Sequence, residues 1–139
     1  MVLISGNLVT ATMVNISQGE SYSSNDLYQI ALSLEAKYPE IIHVEVIGKS
    51  VDQKPLYSVI MTKDVDAMRQ KDDFNVCRQH YFVEAGTHAR ETVNPVILMK
   101  QIEDYAIDYY QDEYIPEFHL SQELEDIVIH FLTLKKTYG

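Results

Sequence analysis

The stretch Tyr81-Phe82-Val83-Glu84-Ala85-Gly86-Thr87-His88-Ala89-Arg90-Glu91 decides how this chain is read. An apolar run ends in a glycine, and an imidazole and a carboxylate follow three residues apart. A strand end hands two ligands to a divalent metal in this way. Zinc is the natural candidate, because catalytic zinc takes three protein ligands of the His/Glu type and keeps a fourth position for water. His88 and Glu91 make two thirds of such a set, and the third ligand has to come from elsewhere. His-x-x-Glu occurs once in the chain. Taken alone it better describes a loop histidine beside a surface glutamate at a helix start, so its surroundings must decide.

Working outward, the pattern alternates between strand-like and helix-like segments. After Gln18-Gly19-Glu20-Ser21, Ser23 or Ser24 can cap a helix whose Leu27, Ile30, Ala31, Leu34 and Tyr38 recur at helical spacing, and Pro39 ends it. Two β-rich runs, His43 to Val51 and Leu56 to Thr62, joined through Asp52-Gln53-Lys54-Pro55, read as an antiparallel hairpin. Lys63 to Asn75 is charged and rich in turn formers, a surface loop. Arg78 to Ala85 reads as a buried strand leading to the His88 motif. A helix follows from near Thr92, with Pro95 in its first turn and Leu98, Ile102, Tyr105, Ala106 and Tyr109 on one face. Glu91 suits the positive end of that helix. Tyr105, Tyr109, Tyr110 and Tyr114 read as core and rim packing. The polar segment Gln111 to Glu125 leads into Ile127 to Leu134, expected to be a central parallel strand, apolar on both faces. Together these elements predict an α/β fold, a mixed β-sheet sandwiched by helices.

With Gly86 before it, Ala89-Arg90 inside it and Asn94-Pro95 after it, the motif resembles the first metal-binding motif of the zinc carboxypeptidases, the carboxypeptidase A and B family. Tyr22-Ser23-Ser24-Asn25-Asp26-Leu27 resembles the opening of that family's first catalytic-domain helix. Ile47-Gly48-Lys49-Ser50, followed by Lys54-Pro55-Leu56-Tyr57, is similar to its first hairpin, with Gln53 where the family commonly has glycine. The likeness runs from about Tyr22 to about Leu134. It implies that residues 21–139 are the N-terminal portion of a zinc carboxypeptidase-like catalytic domain, an incomplete version of that fold, and that residues 1–20 are an extension or propeptide remnant.

By the same resemblance, His88 and Glu91 are zinc ligands and Arg90 is a substrate-binding arginine. The implied reaction is hydrolysis of C-terminal residues from peptides, the partner being a peptide C-terminus and the cofactor Zn²⁺. The family's second ligand histidine and general-base glutamate lie beyond residue 139, so no catalytic residue is assigned and the chain alone is expected to be inactive. From Lys135 onward the sequence departs from the family's pattern. The competing reading is a non-catalytic α/β module that binds a peptide or another subunit. Unpartnered sheet edges, at the strand from Ile127 and its neighbour, would favour a homo-oligomer or a swapped assembly.

Composition narrows the alternatives. A net charge of −10, with 11 Lys and Arg among 139 residues, argues against nucleic-acid binding. Cys77 is the single cysteine, so no internal disulfide forms, which suits a cytoplasmic or a bacterial-type secreted protein equally. Met1 to Val14 is mostly apolar, yet it lacks Lys and Arg and is interrupted by polar residues. It reads as a strand or part of a propeptide, with neither a signal peptide nor a membrane span expected. Among the other histidines, His130 is read as a core or sheet-face residue. His80 is placed about 25 Å along the strand from His88, too far to share its metal. His43 and His119 are read as surface residues.

Overall fold

The computed structural model describes residues 13–14, 22–66, 78–87, 93–111 and 119–133. Helix α1, Ser24–Lys37, starts where its sequence says it should: the Asp26 amide donates to Ser23 Oγ at 3.0 Å, and the Ser23 amide donates to Asp26 Oδ2 at 2.8 Å. This reciprocal capping box satisfies two amides that the first helical turn leaves unpaired. Leu27, Ala31 and Leu34 form its buried stripe, and Tyr38 leaves helical geometry just before Pro39.

Strands β1 (Ile42–Lys49) and β2 (Pro55–Met61) form the expected hairpin, paired from Ile42 with Met61 to Lys49 with Pro55 and irregular between Val46 and Gly48. Gln53 takes the left-handed backbone that the tight turn requires, with φ of 61°. Lacking glycine's freedom, it bears a cost of about 1 kcal/mol.

Strand β3 (Gln79–Ala85), helix α2 (Asn94–Gln111), the single-turn helix α3 (Leu120–Glu123) and strand β4 (Ile127–Thr133) complete the described elements. The sheet order is β1-β2-β4-β3. β4 runs antiparallel to β2 and parallel to β3, so the sheet is mixed, as the sequence predicted.

Helices α1 and α2 share one core with one face of this sheet. Leu34, Ile42, Val59, Met61, Met99, Ile102 and Phe131 meet there, nearly or fully excluded from solvent. Each such side chain contributes about 1.5–3 kcal/mol relative to leaving it in water. Val14 belongs to the same core, and the Met13 amide donates to Glu103 Oε2 at 2.6 Å, giving that buried carboxylate a partner besides Lys100. On the opposite face, Ile60 and Val128 are buried with Val65 in a second, smaller cluster.

Four expectations need correction. The stretch from Arg78 was read as a buried strand, yet residues 79–84 are exposed, Phe82 by 68%. The reason is position, since β3 is hydrogen-bonded to one strand only among the described residues. The strand from Ile127 and its neighbour were expected to lack partners if the rest of the domain is missing; β4 is paired on both sides, and among the described residues β3 is paired on one side only. Lys63 to Asn75 was read as surface, but Val65 is fully buried. The polar run before β4 likewise hides Leu120 and Leu124 in the core.

Candidate metal centre at the end of the parallel strands

Because β3 and β4 are parallel and in register up to Ala85 and Thr133, both strands emerge at the same end of the sheet. In α/β sheets, ligands gather outside the carboxyl ends of strands, where loops converge and helix N-termini point inward. β3 is followed there by Gly86, whose φ of 81° suits a residue without a Cβ. The chain re-enters description at Val93, and α2 starts at Asn94, its first turn tied by the Ile97 amide to Val93 O at 3.0 Å. The first turn of α2 holds no acidic side chain, and the positive end of a helix favours an anionic group. Glu84, Ala85, Gly86, Asn94, Ile97, Leu98 and Gln101 line a depression of about 270 Å³ at this corner.

A second hollow, of about 230 Å³, opens at the same sheet end near Ser24, Tyr28, Lys54, Tyr57 and Thr133. Burial pushes the Tyr57 hydroxyl up to about 12, so it stays protonated at neutral pH. Among the described residues the buried Ser24 hydroxyl has no hydrogen-bond partner, and Thr133 lies beside the Tyr57 hydroxyl and acts on it.

His88, Arg90 and Glu91 lie outside the described residues, as do Cys77 and Tyr114. The donor types still suit the metal: imidazole nitrogen and carboxylate oxygen are ligands zinc accepts. The described flanks end a strand at Ala85 and begin a helix at Asn94. Among the described residues, no group of three His, Cys, Asp or Glu side chains could hold a metal.

Of the remaining histidines, two lie apart and two meet. His43 Nδ1 lies 2.9 Å from Glu35 Oε2, which also accepts the Val44 amide at 2.6 Å. His119 precedes α3 at its N-cap without a side-chain capping bond. His80 and His130 meet on the sheet face opposite the core, Nδ1 to Nε2 at 2.8 Å. Nothing in the sequence signals that pair, because the two residues are 50 positions apart and only the β3–β4 register brings them together. Tyr105 packs against Phe131 and Tyr110 stacks on Tyr38, matching the packing role read for the tyrosines.

Known structures share this architecture. Thrombin-activatable fibrinolysis inhibitor superposes with a TM-score of 0.63 at 18% identity, over 81% of this chain and 25% of that one. The bovine form, solved in complex with tick carboxypeptidase inhibitor, gives 0.56 at 18% identity over 81% and 30%. Carboxypeptidase A from Helicoverpa armigera gives 0.59 at 16% identity over 94% and 29%. At these identities the likeness establishes the fold, and this chain spans between a quarter and a third of each neighbour's length. A search of curated proteins returns no significant match. No helix among the described residues is long and apolar enough to cross a membrane. The family model for zinc carboxypeptidases matches residues 27–134, through both long helices and all four strands, and the chain belongs to that family.

Proposed function

We propose that this chain supplies the first metal-binding segment of a zinc metallocarboxypeptidase, an enzyme that hydrolyses C-terminal residues from peptides. The observation that supports the reading is the family match over residues 27–134, a span that includes His88-Ala89-Arg90-Glu91, which follows the parallel strand β3 in sequence. His88 and Glu91 would hold the metal, and Arg90 would face the substrate's negative charge near the mouth of the cleft. Zinc bound there supplies Lewis acidity to the scissile carbonyl and to a water. In sequence the two ligands lie between the end of β3 and the start of α2, and the N-terminal end of a helix favours an anionic group. Residues 21–139 are taken as catalytic-domain sequence and 1–20 as an extension.

These 139 residues provide two assigned ligands, and two-point coordination leaves water in half the shell. Calorimetric titration should therefore show weak zinc binding that His88→Ala and Glu91→Gln each abolish. Hydrolysis of blocked dipeptides by the isolated chain should be undetectable. Chelator-sensitive turnover, or zinc uptake indifferent to both substitutions, would overturn the assignment. A second reading, a non-catalytic module that associates with another chain, draws on one observation, the exposed Tyr81, Phe82 and Val83 along the bare edge of β3.

A further inference from the structure

We infer that the outer edge of β3 is the docking surface for a second copy of this chain, the two strands pairing antiparallel about a two-fold axis at Phe82. Hydrogen-bond parity defines that edge. The Gln79 amide donates to the Asp126 carbonyl at 3.0 Å, so in this parallel ladder residues 79, 81, 83 and 85 turn their backbone groups toward β4. His80, Phe82 and Glu84 turn theirs the other way, where no described strand meets them. The usual deterrents to edge pairing are missing as well. Over its seven residues β3 carries no proline, lysine or arginine, and its register with β4 is unbroken.

The strand is self-complementary in one register. Antiparallel pairing about Phe82 sets that residue against its own copy, His80 against the partner's Glu84 and Tyr81 against the partner's Val83, and it uses the whole strand from Gln79 to Ala85. Its hydrogen-bonded pairs then fall on His80, Phe82 and Glu84, the set whose backbone groups point outward. A slip of one residue would set outward-facing groups against inward-facing ones. A slip of two keeps the parity but places Phe82 against His80 or Glu84 and leaves strand ends unmatched. Side chains agree on both faces of the sheet. On the face opposite the core, His80 Nδ1 meets His130 Nε2 at 2.8 Å. With Nδ1 accepting the His130 proton, the His80 ring carries its own proton on Nε2, the donor a carboxylate requires. Beside that pair the exposed Phe82 rings of the two copies meet across the axis. On the other face, Tyr81 and Val83, both exposed, form an aromatic and β-branched pair of the kind that stabilises antiparallel strands. The two-fold axis makes each of these off-axis pairs occur twice. This association names the partner for the reading of the chain as a module that joins another chain, and it is independent of the metal assignment.

The test follows amide hydrogen exchange residue by residue in dilute and concentrated solutions of the full chain, beside sedimentation equilibrium. Amides of Tyr81 and Val83, bonded within the sheet, should exchange slowly at both concentrations, whereas those of His80, Phe82 and Glu84 should slow only where the dimer forms. His80→Glu and Glu84→Lys should each raise the dimer Kd roughly twofold to thirtyfold, because two cross-strand pairs lose their match at once. An equimolar mixture of the two variants should recover parent-like association, since each position 80 then faces an opposite or hydrogen-bonding group at position 84. Both side chains are exposed, and the exchange measurement needs no substitution. A His88→Ala/Glu91→Gln variant should dimerise as the parent does, and loss of the dimer there would overturn the proposal by assigning association to the motif. It would equally be overturned by a parent that stays monomeric, by His80, Phe82 and Glu84 amides already protected in dilute solution, or by a mixture that associates no better than either variant alone.

Discussion

Histidine 130 sits half-buried between Phe82 and His80, and burial first, then the neighbouring imidazole, holds its pKa below the ordinary value of 6.5. An unfolded chain takes up a proton near that value while the folded one still resists it. Stability that is present above about pH 6.5 should therefore decline as pH falls toward the folded pKa and level off below it. Glu45 opposes the shift, so the decline is smaller than burial alone would produce. Urea midpoints between pH 8 and pH 5 should fall less steeply in His130→Gln than in the parent. Identical slopes would mean that His130 is not the group responsible. Residue-level chemistry was partly legible in the sequence. The capping serine and the strained Gln53 turn follow from local rules, whereas the His80–His130 contact and the burial of Glu103 depend on which distant elements adjoin. Burial of a glutamate in α2 looks improbable from composition, and it is tolerated because Met13 and Lys100 reach it.

At the scale of elements, α1 offers the cleanest test, since its start rests on side-chain chemistry in place. Ser23→Ala removes the acceptor for the Asp26 amide and leaves that group to water. The expected loss is about 1 kcal/mol, measurable as a shift in the thermal or denaturant midpoint, with a loss near zero counting against the capping box. Helical spacing located α1 and α2 because their stripes face a single core, and the hairpin announced itself through two β-rich runs around a turn. β3 was misjudged for a physical reason. Its middle, Tyr81-Phe82-Val83, is apolar like a buried strand, and only the sheet order reveals that, among the described residues, it has a neighbour on one side.

For the molecule as a whole, that one-sided strand sets the expected solution behaviour. Tyr81, Phe82 and Val83 expose 50%, 68% and 38% of their surface on a strand edge that no described strand pairs with, a combination that invites pairing between chains. Light scattering should report association that grows with concentration. Tyr81→Lys, which places a charge on that strand, should shift the population toward monomer. A parent that stays monomeric at high concentration would remove this expectation. Arg78 acts at the same scale by joining segments: its guanidinium donates to Thr62 Oγ1 at 2.9 Å and to the Lys63 carbonyl at 2.5 Å, while the Thr62 hydroxyl bonds to the Ile127 carbonyl at 2.8 Å.

The sheet order also has a temporal consequence. The last of the described strands, β4, occupies an inner position among them, and its partners lie far back along the chain: Ser58 faces Leu132, and Gln79 faces Ile127. During synthesis, the hairpin and β3 therefore remain unjoined until residues 127–133 leave the ribosome. Closing loops of that length before any reward from pairing makes nucleation slow, and the nascent chain spends that interval with its sticky strands bare.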